Sequence, residues 1–79
     1  MFSTRDNYYI KENQIIVKHG LSTKFHIPIN EISSWDKNFE MVYDVIRIYT
    51  NKNIYVLIEY NNELSRLLNC VVPEKRREQ

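Results

Sequence analysis

His19 and His26 flank a turn signal at Gly20. In a hairpin they stand about three residues out of register, roughly 10 Å apart at the rise of a β-strand. Zinc needs three or four ligands converging at ~2.0–2.3 Å, and the one cysteine, Cys70, lies far along the chain. Both histidines therefore read as surface residues, and neither a metal nor another cofactor is expected. Cys70 as a nucleophile would need a base and an electropositive niche. It falls near the C-terminal end of a predicted helix, where the helix dipole disfavours a thiolate, so it reads as a half-buried structural thiol. Glu31, Asp36, Glu40 and Asp44 surround Lys37. Paired carboxylates can serve acid–base chemistry, but no nucleophile or companion polar set accompanies these, and they read as a solvated acidic flank. Gly20 stands alone, so no phosphate-cradling loop exists. The expectation is a protein that is not an enzyme.

Aromatic residues carry more information. Tyr8, Tyr9, Trp35, Phe39, Tyr43, Tyr49, Tyr55 and Tyr60 exceed what a small core needs. Tryptophan, tyrosine and arginine are the enriched anchors of protein interfaces. Two candidate contact patches follow: Trp35 with Phe39 beside the acids, and Arg47 with Tyr49 and Tyr55. The bland alternative is a stripe that covers the second face of a thin sheet.

The elements that must position these residues are mostly strands. The chain has 79 residues, which is one domain. It lacks alanine, the best helix former, and is rich in Ile, Val, Tyr and Thr, which suit a pleated, half-buried surface. From Tyr8, alternation places Tyr8, Ile10, Ile15 and Val17 on one side, with a tight turn at Glu12-Asn13. Gly20 marks the next turn. Phe25, Ile27 and Ile29 then face the core, and Pro28, which lacks an N–H, places that strand end at an edge or bend. Ile32, Trp35, Phe39 and Val42 fit a helical spacing, but a short strand at 32–36 followed by a loop through Lys37-Asn38 fits the β-rich surroundings better. The strongest hairpin joins 45–49 to 54–60 through Asn51-Lys52-Asn53. Ile46, Ile48, Ile54, Val56 and Ile58 are expected on its core face, with Arg47, Tyr49, Tyr55 and Glu59 opposite. Asn61 or Asn62 then caps a helix over 61–72, whose apolar stripe is Leu64, Leu67, Leu68 and Val71. Pro73 stops it. Residues 1–6 read as a frayed terminus and 73–79 as a charged, solvated tail.

The fold class expected is mainly β: a small curled antiparallel sheet or partly open barrel of about six or seven strands, capped by one C-terminal α-helix. Gly20-Leu21-Ser22-Thr23-Lys24-Phe25-His26-Ile27-Pro28-Ile29-Asn30-Glu31-Ile32 sharpens this. It resembles the small bacterial pleckstrin-homology-like (PH-like) domains, which run from a strand through a glycine and polar residues into a strand ending in I-P-[LI]-x-x-I. The pattern covers roughly residues 7–72, its specific part only Gly20–Ile32. Phosphoinositide-binding members place a basic cluster in the loop between their first two strands. Here that loop is Glu12-Asn13, with only Lys11 and Lys18 nearby.

Charge narrows the partners. There are 11 Lys and Arg against 10 Asp and Glu. Setting aside Lys75, Arg76, Arg77, Glu74 and Glu78 of the tail leaves 8 of each sign, a neutral body. Phosphate neutralisation drives nucleic-acid affinity, so a nucleic-acid partner is disfavoured, although an aromatic sheet face can stack single strands. Membrane-surface binding through Lys11, Lys18, Lys24 and the tail would need more positive charge. One free thiol, no secretory leader and no long apolar run point to the cytoplasm. The function expected is a protein-interaction module whose partner the residues do not name, as a small bacterial or phage inhibitor, an immunity-type factor or an assembly subunit. Self-association through edge strands stands beside it as an alternative.

Overall fold

The computed structural model describes residues 6–59 and 62–77. It is mainly β: six strands form two antiparallel sheets of three, followed by one C-terminal helix. The chain divides into two compact units, Met1–Asn30 and Glu31–Gln79.

In the first unit β1 (Asp6–Lys11), β2 (Gln14–His19) and β3 (Ser22–Pro28) form a meander. Glu12 and Asn13 both take positive φ, 54° and 61°, the geometry of a two-residue type I′ turn. Gly20 opens the next two-residue turn at φ 63°. Tyr8 pairs with Val17, Ile10 with Ile15, and Ile15 with Ile27, so the expected apolar side is assembled in register. Ile15, Ile16, Val17 and Ile27 are buried. Pro28 ends β3, an outer strand, where its missing N–H leaves no ladder bond unmade. Asp6 is not frayed. It is buried and its carboxylate meets His19 Nδ1 at 3.0 Å and Lys24 Nζ at 3.2 Å. Residues 1–5 lie outside the described residues.

A 3₁₀ turn (Ile29–Glu31) precedes β4 (Ile32–Glu40), β5 (Tyr43–Thr50) and β6 (Ile54–Glu59). β4 is one strand of 9 residues. Neither the helical spacing nor the loop at Lys37-Asn38 holds, because Lys37 pairs with Ile46 and Asn38 with Val45. A bulge at Ser33, whose Oγ donates to the Tyr49 carbonyl at 3.0 Å, sets the register.

The faces of the β5–β6 hairpin differ from the expected ones. Ile46 and Ile48 are buried as expected, but their neighbours on β6 are Leu57 and Tyr55. Tyr55 and Glu59 share this inward face, while Ile54, Val56 and Ile58 lie outward with Arg47 and Tyr49. The turn decides this. Thr50 Oγ1 accepts from the N–H of Asn53 at 3.0 Å and the Thr50 N–H donates to the Asn53 carbonyl at 2.9 Å. The turn so closed pairs Tyr49 with Ile54 and shifts every later residue accordingly.

The helix, α1 (Glu63–Val71), is pinned to that inward face at both ends. Glu59 Oε2 accepts the Ser65 N–H at 2.5 Å, and Trp35 Nε1 donates to the Val72 carbonyl at 3.0 Å. Leu64 and Leu68 are fully buried and Val72 nearly so. Asn62 stands at the N-cap but in the left-handed region, with no side-chain cap bond. Its Oδ1 accepts from Lys37 Nζ at 2.9 Å instead. Asn61 and Tyr60 lie outside the described residues. Cys70 is exposed rather than half-buried.

Residues 73–77 are docked, not free, and residues 78–79 lie outside the described residues. Pro73–Lys75 makes a 3₁₀ turn, Arg76 bridges to Trp35 in parallel, and the Arg77 N–H donates to the Trp35 carbonyl at 2.7 Å. Among the described residues no helix is long and apolar enough to cross a membrane.

Candidate interaction surface

Trp35 is fully buried, at 0% exposure, with Arg76 above its ring at 5.3 Å. Its indole belongs to the core beneath the helix, so it is not an exposed anchor. The physical reason is alternation: Trp35 shares a face with its partner Ile48 and with Lys37, and α1 covers that face. Phe39, two residues beyond Lys37 on the same side, runs past the helix and is 71% exposed. The patch read from the sequence therefore splits into one core residue and one surface residue.

Arg47, Tyr49 and Tyr55 also separate. Arg47 and Tyr49 point outward from β5, whereas Tyr55 lies on the inward face of β6 beside Ile48. Around the first two runs a polar network. Tyr49 donates its hydroxyl to Asp36 Oδ2 at 2.8 Å, and Asn38 Nδ2 donates to Asp36 Oδ1 at 3.3 Å. Arg47 Nη2 meets Glu40 Oε1 at 2.7 Å, with its Nη1 at 4.0 Å from Asp36. The Arg77 guanidinium covers the Tyr49 ring at 4.2 Å. The hydrogen bond to Asp36, then burial and the Asp36 charge, push the Tyr49 phenol above its ordinary value. The bond to Glu40 does the same for Arg47. A polar row of both charge signs is thus held beside an outward apolar row on β6.

The site that sequence reasoning missed is the β4–β5 hairpin tip. Met41 and Val42 form its two-residue turn and are 90% and 75% exposed. With Phe39 and the half-exposed Tyr43 they make an apolar knob. Met41 takes φ 56°, a left-handed conformation that costs a side-chain-bearing residue about 1 kcal/mol or more. The sister turn at Gly20 has φ 63° and uses glycine there. The tip therefore carries a conformational cost and exposes apolar surface together, a local conflict of the kind that collects at functional sites. Glu40 and Asp44 flank the knob, each near a cation, Arg47 at 2.7 Å and Lys37 at 3.7 Å.

His26 pairs with Ile16, three residues from His19, as the spacing implied. Among the described residues no group of three or more His, Cys, Asp or Glu converges as a metal site requires. Comparison with protein-family models, curated proteins and solved structures finds no match.

Proposed function

We propose that this chain is a non-enzymatic protein-interaction module that holds its partner at the β4–β5 hairpin tip through Phe39, Met41 and Val42. The observation that carries this reading is the Met41-Val42 turn, where a left-handed backbone and two solvent-facing apolar side chains coincide. A convex knob of this kind fits an apolar recess in a protein and gives it aromatic and Met anchors. The acids beside the tip disfavour an anionic membrane surface. Stacking of a single nucleic-acid strand finds little support, since Tyr49 and Tyr55 lie on opposite faces and Arg77 covers the Tyr49 ring. Within this proposal the chain is a short form of the PH-like domain; the order of six strands and a final helix supports that reading. Its role would be that of an inhibitor, an immunity-type factor or an assembly subunit.

The test is capture by tagged protein from a nuclease-treated bacterial lysate, with a photo-crosslinking residue in place of Phe39. The chain with the crosslinker at position 39 should crosslink to one protein, and the same chain carrying M41G/V42N should lose it. Capture that the variant leaves unchanged sinks the reading.

A further inference from the structure

The second sheet has three strands and one helix, so only one of its faces has a helical layer. The opposite face presents Ile54, Val56 and Ile58 from β6, at 60%, 54% and 37% exposure, beside the half-exposed Tyr43 of β5, while Val45 and Asp36 on the same side are buried. An antiparallel sheet that shows one face to water normally makes that face polar. Here the β6 row is wholly β-branched and apolar. The rest of the face carries charge of both signs: Arg47 and Arg77 against Asp36 and Glu40, with Arg47 directly opposite Val56.

We propose that this face is the interface of a two-fold homodimer, two copies packing sheet to sheet across their β6 and β5 outward residues. Three observations choose a second copy as the occupant. First, the face holds both members of a complementary charge pair, Arg47 and Glu40, 2.7 Å apart. A two-fold operation sets Arg47 against Glu40 of the partner subunit and Glu40 against Arg47 of the partner subunit, so the surface complements itself. Second, Arg47 and Arg77 are balanced by Glu40 and by the buried Asp36, which gives the face no preference for an acidic or a basic partner. The whole chain carries a formal net charge of only +1, so copies do not repel. Third, a flat row of Ile and Val packs against its own kind as the two layers of a β-sandwich do, about 10 Å apart. The exposed apolar area is a few hundred Å², below the ~800 Å² per partner of a standard interface. The polar row must supply the remainder, which places the dimer in the micromolar range rather than below it. This inference shares Tyr43 and Glu40 with the hairpin tip, but its apolar row, Ile54, Val56 and Ile58, lies on β6 and is not part of the tip.

Sedimentation equilibrium from micromolar to near-millimolar concentration tests it. Wild type should move from monomer to dimer over that range. V56K, placed at an exposed position, should keep the wild-type circular dichroism and weaken the dimer about tenfold or more. A mixing arm uses E40R and R47E. Each alone should stay monomeric because like charges then face each other, while the equimolar mixture should form a one-to-one heterodimer. A wild-type chain that remains monomeric throughout overturns the proposal. So does a dimer indifferent to V56K, or a mixture no more associated than its components.

Discussion

The carboxylate of Glu59, the last residue of β6, accepts the backbone N–H of Ser65 in the first turn of α1 at 2.5 Å, while its other oxygen lies 2.8 Å from Lys37 Nζ. A side chain from the sheet thus does the capping that the residue at the N-cap, Asn62, does not. It satisfies one of the first-turn donors, places negative charge at the positive end of the helix dipole and compensates a largely covered ammonium.

Glu59→Ala should therefore cost about 2–3 kcal/mol, since it removes a cap and leaves Lys37 short of its partner. In a thermal melt the transition should fall by roughly 10 °C or more. Glu59→Gln, which keeps an acceptor, should cost less. Equal melting of wild type and Glu59→Ala would show that the helix start is held some other way.

Trp35 is the sole tryptophan and is fully buried. Its fluorescence should be blue-shifted in the folded protein and nearly untouched by iodide, and should shift red on denaturation. Trp35→Phe, which loses the bond to the Val72 carbonyl and some volume, should cost about 1–3 kcal/mol. Ready quenching by iodide in the native state would place the ring at the surface.

The Tyr49 phenol is pushed up chiefly by its bond to Asp36. The folded protein therefore holds that proton more tightly than the unfolded chain does. The stabilisation is complete below the ordinary tyrosine value of about 10 and is lost as pH rises through the folded value. In an absorbance titration Tyr49 should ionise above the ordinary tyrosine value, and Tyr49→Phe should remove that step. The same substitution should flatten the alkaline fall in stability. A titration identical in wild type and Tyr49→Phe would contradict the Asp36 contact.

At the hairpin tip, M41G/V42N should raise stability by about 0.5–1 kcal/mol, because glycine accepts the positive φ that methionine resists. Urea unfolding reads this directly. A destabilised variant would mean that the apolar tip supports the fold rather than a partner.

Much of the architecture is legible in the residues alone. Asn13 and Gly20 announce their turns because few residue types accept positive φ. The alternation of Tyr8, Ile10, Ile15, Val17 and Ile27 marks one side of the first sheet, since side chains in a strand repeat every two residues. Leu64, Leu68 and the stop at Pro73 mark the helix by its own period. What local pattern leaves open, tertiary structure decides. In Ile54-Tyr55-Val56-Leu57-Ile58-Glu59 both alternating sets contain apolar residues, so periodicity alone favours the more aliphatic one. The closing of the turn at Thr50 and Asn53, and the docking of α1 through Glu59 and Trp35, bury the other. The same is true of the surface. Trp35 and Phe39 have the same side-chain direction and similar chemistry, and only the reach of the helix makes one a core residue and the other part of an exposed tip. Burial depends on which element lies above a residue, and no residue carries that information about itself.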